Sequence, residues 1–294
     1  MNSYNEIIQY DDPTLAIKIF EASPQKRDLH TENWHYHKEL EIIIVLDGSM
    51  ELVIKEEVFS LSKGDVFLIG PNEVHLDQRL DVHYIVFQFD VFKFFEPSLA
   101  PFSHSLLNPH MCLSKLNYIF QQDEYVRKKL FQLVFDIHQE YMNRFRGYEV
   151  AINIKIKEIL LTLLRHDTKL VLDEYSSVEI ERLRPVLQYI ANNLTEDISA
   201  DQCCQIINLN YHYFVKLFKK TLGLTFIEYI QHERIKLAER ILLTEQLSIE
   251  EVAELSGFHN MGHFYKTFQK YHNCTPSSFK KMRQNQTKKI IKMT

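Results

Sequence analysis

Between residues 15 and 90, apolar residues come in short runs broken by turn signals. Glu41–Leu46 is followed by Asp47-Gly48, Met50–Ile54 by Lys63-Gly64-Asp65, and Val66–Ile69 by Gly70-Pro71-Asn72, before a further run at Tyr84–Phe89. Many short strands punctuated by Gly, Pro, Asn and Asp predict an antiparallel sandwich or small barrel. After Asp123 the spacing lengthens to three and four. Leu130, Val134, Ile137 and Tyr141 share one stripe over Tyr125–Arg146, and Ile152, Ile156, Ile159, Leu160 and Leu163 share another over Glu149–Arg165. These are two amphipathic helices. Such a pair either closes the end of a barrel or packs against its copy in a homodimer, and the second arrangement is expected here.

Residues 168–183 carry no sustained period and include Asp173-Glu174-Tyr175-Ser176-Ser177, the pattern of a linker. Everything beyond is helical in pattern until a Lys-rich tail. The expected organisation is α+β and multidomain. Residues 1–167 form a β-barrel domain with two helices, 168–183 the linker, 184–284 an all-α domain, and 285–294 a basic tail.

Composition narrows the class. The chain has 294 residues, 45% hydrophobic and 25% charged, values that exclude wholesale disorder. Its longest aliphatic run, Ile42–Leu46, is too short to span a bilayer, and no export signal opens the chain. Cys112, Cys203, Cys204 and Cys274 form no CxxC pair, so neither a disulfide framework nor a cysteine zinc site is expected. A reduced, cytoplasmic protein without membrane contact follows. The formal charge of -5 hides an asymmetry. From Ile180 onward there are sixteen Lys/Arg against eleven Asp/Glu, and the preceding part carries a net -10. A positive C-terminal third on an acidic body points to a polyanion as partner of that third.

Two C-terminal segments share one grammar. In the second, Ser248 with Glu251 makes a capping box, a helix runs to Gly257, and another helix begins near His263 with Phe264 and Phe268 at i, i+4. About fifty residues earlier Ser199 caps, Cys204 stands for Ala253, Asn208 for Gly257, and Asn210 caps a helix bearing Phe214 and Phe218. Asn tolerates the left-handed backbone that Gly takes at such a turn. Each segment is a helix-turn-helix, whose second helix can enter the DNA major groove. Phe226–Leu243 reads as one helix between them, roughly 27 Å long against about 34 Å per DNA turn. A rod of that length presents two reading helices to successive grooves.

The stretch from Arg184 to Lys281 resembles the DNA-binding domain of the AraC/XylS family of bacterial transcription regulators. The resemblance rests on Leu217-Phe218-Lys219-Lys220 and Gly223, on Arg234, Ala238 and Leu242-Leu243, on Ile249, Val252-Ala253 and Gly257-Phe258, and on Phe264, Phe268 and Thr275-Pro276. It departs from the family pattern at Lys216 and Lys266, where Arg is usual, at Gly262 and Gln269, and at Asn273, where Gly is usual.

On each reading helix the exposed residues of the first turns reach base edges. These are Tyr211, His212, Val215 and Lys216 in the first unit, and Asn260, Met261, His263 and Lys266 in the second. The resemblance places base contacts at the same positions. Lys216 and Lys266 suit guanine, Asn260 suits adenine, and Val215 or Met261 suits a thymine methyl. Lys219, Lys220 and Lys270 suit phosphates.

In the N-terminal part, His35-Tyr36-His37, Glu41 and Gly48 spell H-x-H-x3-E-x6-G, and Gly64-Asp65, Pro71 and His75 spell G-D-x5-P-x3-H. This looks like the two motifs of the cupin barrel, a sensor domain that the AraC/XylS family often carries. His35, His37 and Glu41 share one face of an extended chain. His37 and Glu41 would lie about 13 Å apart on a straight strand, so they meet at one ligand only if the chain turns near Lys38-Glu39. Trp34, His35, His37, Glu41 and His75 are the candidate effector-binding residues. His35, His37, Glu41 and His75 would also suit a divalent transition metal, the one cofactor the sequence suggests, or could serve strand packing alone.

The leading expectation is a sequence-specific regulator rather than an enzyme. A barrel binds a small-molecule effector, and a helical domain binds double-stranded promoter DNA. Family resemblance favours an activator, which would meet RNA polymerase, often of genes for carbohydrate use. The alternative is a metal-dependent cupin enzyme with an appended DNA-binding module.

Overall fold

The structure, a computed structural model, describes residues 3–11, 15–23, 34–94, 112–172, 177–272 and 274–281. It divides into two compact units, Met1–Tyr175 and Ser176–Thr294.

The first unit is built on one sheet of seven strands: β1 (Tyr4–Asn5), β2 (Ile17–Ala22), β3 (His35–Tyr36), β4 (Leu40–Ile54), β5 (Glu57–Ser62), β6 (Val66–Ile69) and β7 (His75–Phe89). Their order is β1-β3-β7-β4-β5, with β2 on β7 and β6 on β4. The Asp47-Gly48 pair, which reads as a turn, is instead an irregularity inside one fifteen-residue strand. The register with β7 shifts between Val45 and Asp47 and again between Gly48 and Met50. A bulge lets a strand bend without ending it. Gly48 sits at φ +77°, and a Cβ there would lie 2.0 Å from the carbonyl oxygen of Asp81, so glycine is required. The last β-run, read from Tyr84, likewise belongs to a strand that starts at His75.

The bend explains the two cores. One face of the sheet (Ile17, Ile19, Ile42, Ile44, Leu68, Ile85, Phe87, Phe89) packs against helices. The opposite face collects Ile43 and Val45 from the first half of β4 with Met50, Leu52 and Ile54 from the second half, plus Phe67, Ile69, Tyr84 and Val86. Both halves of one strand contribute to a single cluster, so the sheet curls toward this face. The result is a cupin half-barrel, a curled sheet. The helical side is formed by α1 (Tyr118–Gln122), α2 (Glu124–Asn143) and α3 (Tyr148–His166). The last two are the amphipathic pair expected from the sequence, but their apolar stripes lie in the helical-side core, so they are spent on their own sheet and not on a copy as the sequence reading expected.

The second unit is helical: α4 (Ser177–Asn192), α5 (Ala200–Ile206), α6 (Tyr211–Leu222), α7 (Phe226–Thr244), α8 (Ile249–Leu255) and α9 (Met261–His272). A last helical turn covers 276–281. Because α4 begins at Ser177, residues 177–183 of the stretch read as linker are helical, and Leu183 is buried in the core of this unit. Asn273 and the basic tail 285–294 lie outside the described residues. The unit has two cores, not one. Phe214, Phe218, Phe226 and Ile230 belong to the first, and Ile235, Ala238, Leu242, Phe264 and Phe268 to the second. Helix α7 therefore runs through both, its N-terminal half serving one and its C-terminal half the other.

Candidate functional site

The two helix-turn-helix units repeat each other bond for bond. Ser199 and Ser248 each close a capping box, with Gln202 and Glu251 respectively. Asn208 at φ 51° and Gly257 at φ 84° make the left-handed turn residue. Leu209 N–H donates to the carbonyl of Cys204 and Phe258 N–H to that of Ala253, both over 2.9 Å. Asn210 Oδ1 accepts the N–H of Tyr213 and Asn260 Oδ1 that of His263, again both over 2.9 Å. The Phe214–Phe218 and Phe264–Phe268 ring pairs stand 5.6 and 5.7 Å apart. The repeat slips by one residue at the turn, where His259 is extra.

On the outer side of α6, Tyr211, His212, Lys216, Lys219 and Lys220 are exposed, while Val215 is half-buried against the core. On α9, His263, Lys266 and Lys270 are exposed, as is Asn260 just before it, and Met261 is half-buried. Asn260 differs from its sequence reading in one respect. Its side-chain carbonyl is committed to capping α9, so a two-bond contact with adenine competes with the cap. Lys220 Nζ lies 3.1 Å from Glu179, and Lys270 Nζ 3.8 Å from Glu228. Burial pushes the Glu228 carboxyl up, but hydrogen bonds from Thr225 and the charges of Lys270 and Lys219 outweigh this and hold it below its ordinary value. His263 Nε2 meets Gln231 Nε2 at 3.1 Å, tying α9 to α7. Sequence reasoning missed Tyr213, which is 46% exposed and occupies the place of His263 once the repeat is aligned on Phe214 and Phe264. The signal was the fifty-residue offset itself.

In the half-barrel the chain bends at residues 38–39, the turn that the His37-to-Glu41 spacing required. His37 Nε2 then stands 3.1 Å from Glu41 Oε2. His35 pairs with His75 across β3 and β7, their ring centroids 4.1 Å apart, and His37 and His75 are 5.2 Å apart. The curl of β4 and β7 brings these ends together, and His75 is fully buried. Two imidazoles are oriented by the backbone: His37 Nδ1 contacts the carbonyl of Glu39 at 3.1 Å and His75 Nδ1 that of Glu73 at 2.8 Å. With its proton on Nδ1, His75 turns an Nε2 lone pair into the cluster, whereas His37 carries a proton on Nε2 and donates it to Glu41. His75 Nε2 is buried with no hydrogen-bond partner.

Burial pushes the Glu41 carboxyl up, yet the His37 hydrogen bond, the His37 and His75 charges and the Gln88 amide bring it down to about 2. Burial likewise lowers His37, but Glu41 outweighs it and raises the ring above its ordinary value. Trp34 is half-buried, and the ring that stacks on His35 is Tyr4, at 5.9 Å. Gln88 and Asp77 also enter the cluster and were missed by sequence reasoning, because neither belongs to a spaced motif. Gln88 Nε2 donates to Glu41 Oε2 over 2.6 Å, and Asp77 shares a three-donor set with Glu41 and His75.

The donors fit a divalent transition ion. The ring nitrogens of His35, His37 and His75 lie within 4.8 Å of one another. Ligands of one tetrahedral zinc-like ion stand roughly 3.4 Å apart, so small side-chain rotations close the set. The orphaned Nε2 of His75 is the lone pair such an ion would use.

A family model described as a helix-turn-helix domain matches residues 203–282, and one described as a cupin domain matches residues 27–76. The chain is an AraC-type helix-turn-helix transcriptional regulator with an N-terminal cupin domain. It is similar to the uncharacterized HTH-type transcriptional regulator YdeC of Bacillus subtilis, 25% identical over 84% of this chain and 86% of that protein. It is also similar to the melibiose operon regulatory protein of Escherichia coli, 22% identical over 85% and 84%. The crystal structure of the DNA-binding domain of AdpA in complex with a target DNA is 19% identical, with a TM-score of 0.35, over 36% of this chain and 95% of that one. As an AraC-type regulator the protein binds DNA through its helical unit and belongs to a family of regulators, not enzymes. Among the described residues, no helix is long and apolar enough to cross a membrane.

Proposed function

We propose that this AraC-type protein is an effector-responsive, sequence-specific activator acting in the cytoplasm on genes for small-molecule use, with carbohydrates the favoured class. The observation that carries the effector reading is a pair of buried polar atoms facing one cluster: His75 Nε2 and Gln88 Oε1 have no hydrogen-bond partner. Buried polar groups left unpaired are costly, so each one calls for an occupant. A ligand rich in hydroxyl donors satisfies Gln88 Oε1 and the Glu41 carboxylate together. A divalent ion held by His35, His37, His75 and Glu41 would supply a Lewis-acid anchor for a ligand oxygen. The name of the melibiose operon relative supports a sugar as the first class to test.

The DNA contacts proposed are Tyr211, His212, Tyr213, Val215 and Lys216 in one groove and Met261, His263 and Lys266 in the next, with Lys219, Lys220 and Lys270 on phosphates. Asn260 contributes its Nδ2 while its oxygen caps the helix. A homodimer is proposed through α3, where Val150, Ile154 and Leu161 are exposed along one side of the helix.

The test is a melting screen of the full chain against mono- and disaccharides, run with and without divalent metal, and followed by binding to duplexes selected from a random library. A sugar that raises the melting temperature and changes operator affinity supports the reading. A protein that melts at one temperature with every sugar, while binding its operator normally, overturns the effector assignment.

A further inference from the structure

The two turns of the repeat are not equivalent in what surrounds them. At the first, Asn208 is exposed and carries a side chain at φ 51°. At the second, Gly257 is buried, and a Cβ would come within 2.8 Å of Arg234 Nε and 2.9 Å of the Leu194 carbonyl oxygen. The second turn is therefore docked on something, and the first is not. What it docks on is the loop that leads into the first unit. Arg234, on α7, donates from Nε to the carbonyl of Leu194 over 2.9 Å and from Nη2 to that of Glu196 over 2.7 Å. The extra residue of the second turn, His259, brings its Nε2 to 3.8 Å from Asp197 in the same loop. Arg234 lies between Ile230, which serves the first core, and Ile235, which serves the second. A planar guanidinium with fixed donors can hold two carbonyls at once, whereas a lysine ammonium offers no such fork.

We infer that Arg234 and Gly257 form a lock that fixes the two reading helices as one rigid reader, and that this lock sets the spacing of the two half-sites the protein accepts. Arg234 is a positioning residue and does not touch DNA in this role. Two modules joined by a helix alone are held at one distance but can each pivot about it, and so accept some change in spacing. Two locked modules gain the second contact without searching for it, and lose it when the spacing changes. The inference rests on the two-groove DNA reading above.

The experiment uses the full chain and three duplexes: the operator selected from a random library, the same operator with about five base pairs (half a helical turn) inserted between its halves, and a single half-site. Wild type is expected to bind the intact operator at least tenfold tighter than the re-spaced one. Arg234→Met is expected to lose about tenfold on the intact operator, to bind the half-site as wild type does, and to show a much smaller penalty for re-spacing. Arg234→Lys falls between, and Gly257→Ala reproduces the Arg234→Met pattern by a different route. Thermal melts identify any variant that has unfolded, and such a variant loses half-site binding too. Wild-type spacing dependence in both Arg234→Met and Gly257→Ala overturns the lock, as does equal loss on operator and half-site in folded protein. Wild-type protein that separates no operator from bulk DNA overturns the two-groove reading, and the lock falls with it.

Discussion

Gln88 donates its amide N–H to Oε2 of Glu41 across neighbouring strands over 2.6 Å, which leaves its own Oε1 buried in the half-barrel. The pair stabilises an ionised carboxylate away from water, and a hydrogen bond to a charged group contributes about 1.5–3 kcal/mol. Gln88→Glu replaces this donor with a second acid. Like charges at that distance cannot both ionise, so one carboxyl of the pair is held protonated. The variant is expected to lose about 2 kcal/mol of stability at pH 7, and to recover part of it relative to wild type as the pH falls toward 5. Urea unfolding at both pH values checks this. An unchanged difference between wild type and variant across that range contradicts it.

The bend in β4 gives a second expectation. Gly48→Ala must place a methyl carbon 2.0 Å from the Asp81 carbonyl oxygen and hold a positive φ. Neither strain relaxes without shifting the register of β7. A cost of about 2–4 kcal/mol is expected. The curl positions His75 against Glu41, so folded Gly48→Ala protein is expected to retain less divalent metal at the histidine cluster than wild type, as read by elemental analysis of both. Gly64→Ala is the control: it too has a positive φ, but a Cβ there meets no atom within 4 Å.

His138 is 3% exposed on α2, with neither ring nitrogen hydrogen-bonded and its Nε2 3.6 Å from Glu21 Oε2. Burial lowers its pKa, and the charge of Glu21 opposes this without overcoming it. A folded value below the unfolded one means the unfolded chain binds the proton more readily. The contribution of neutral His138 is therefore fully present above the unfolded value, near 6.5, and is lost as the pH falls through the folded value. Below both values the contribution is gone. The steepest slope available to one group is about 1.4 kcal/mol per pH unit. His138→Gln should flatten the loss of stability between pH 7 and pH 5, as read by denaturant midpoints. A variant curve parallel to wild type removes His138 as the cause.

Much of the helical unit was legible because its determinants are local. Ser199, Ser248 and Asn210 cap where the sequence predicts, and Asn208 and Gly257 turn where left-handed residues are needed, while the cap by Asn260 emerged only in the structure. The bridging role of Arg234 was not legible, since it depends on carbonyls about forty residues away in sequence. In the half-barrel the motif spacing found His35, His37, Glu41 and His75. It could not find Gln88, which reaches Glu41 only through strand register. Nor could it show that Asp47-Gly48 bends a strand instead of ending it, because a bulge and a turn use the same residues.

The aligned repeat yields the sharpest expectation for DNA. Tyr213 and His263 occupy the same place on α6 and α9, one turn before Lys216 and Lys266. Side chains there face base edges if the helices lie in the major groove, so truncating either should alter which bases are preferred at one position of one half-site. Tyr213→Ala should change the first half-site only, and His263→Ala the second only, each by about 1–3 kcal/mol of discrimination. Lys220 stands further along α6 and pairs with Glu179 in the free protein. A phosphate contact by Lys220, as proposed, carries no sequence information, so Lys220→Ala is expected to weaken all duplexes alike and lower the salt slope by about 1. Selection from a random library gives the base preferences, and anisotropy titrations at several salt concentrations give the slope. If Tyr213→Ala and His263→Ala disturb the same positions, the two helices do not read separate half-sites, and the repeat has been misassigned to the groove.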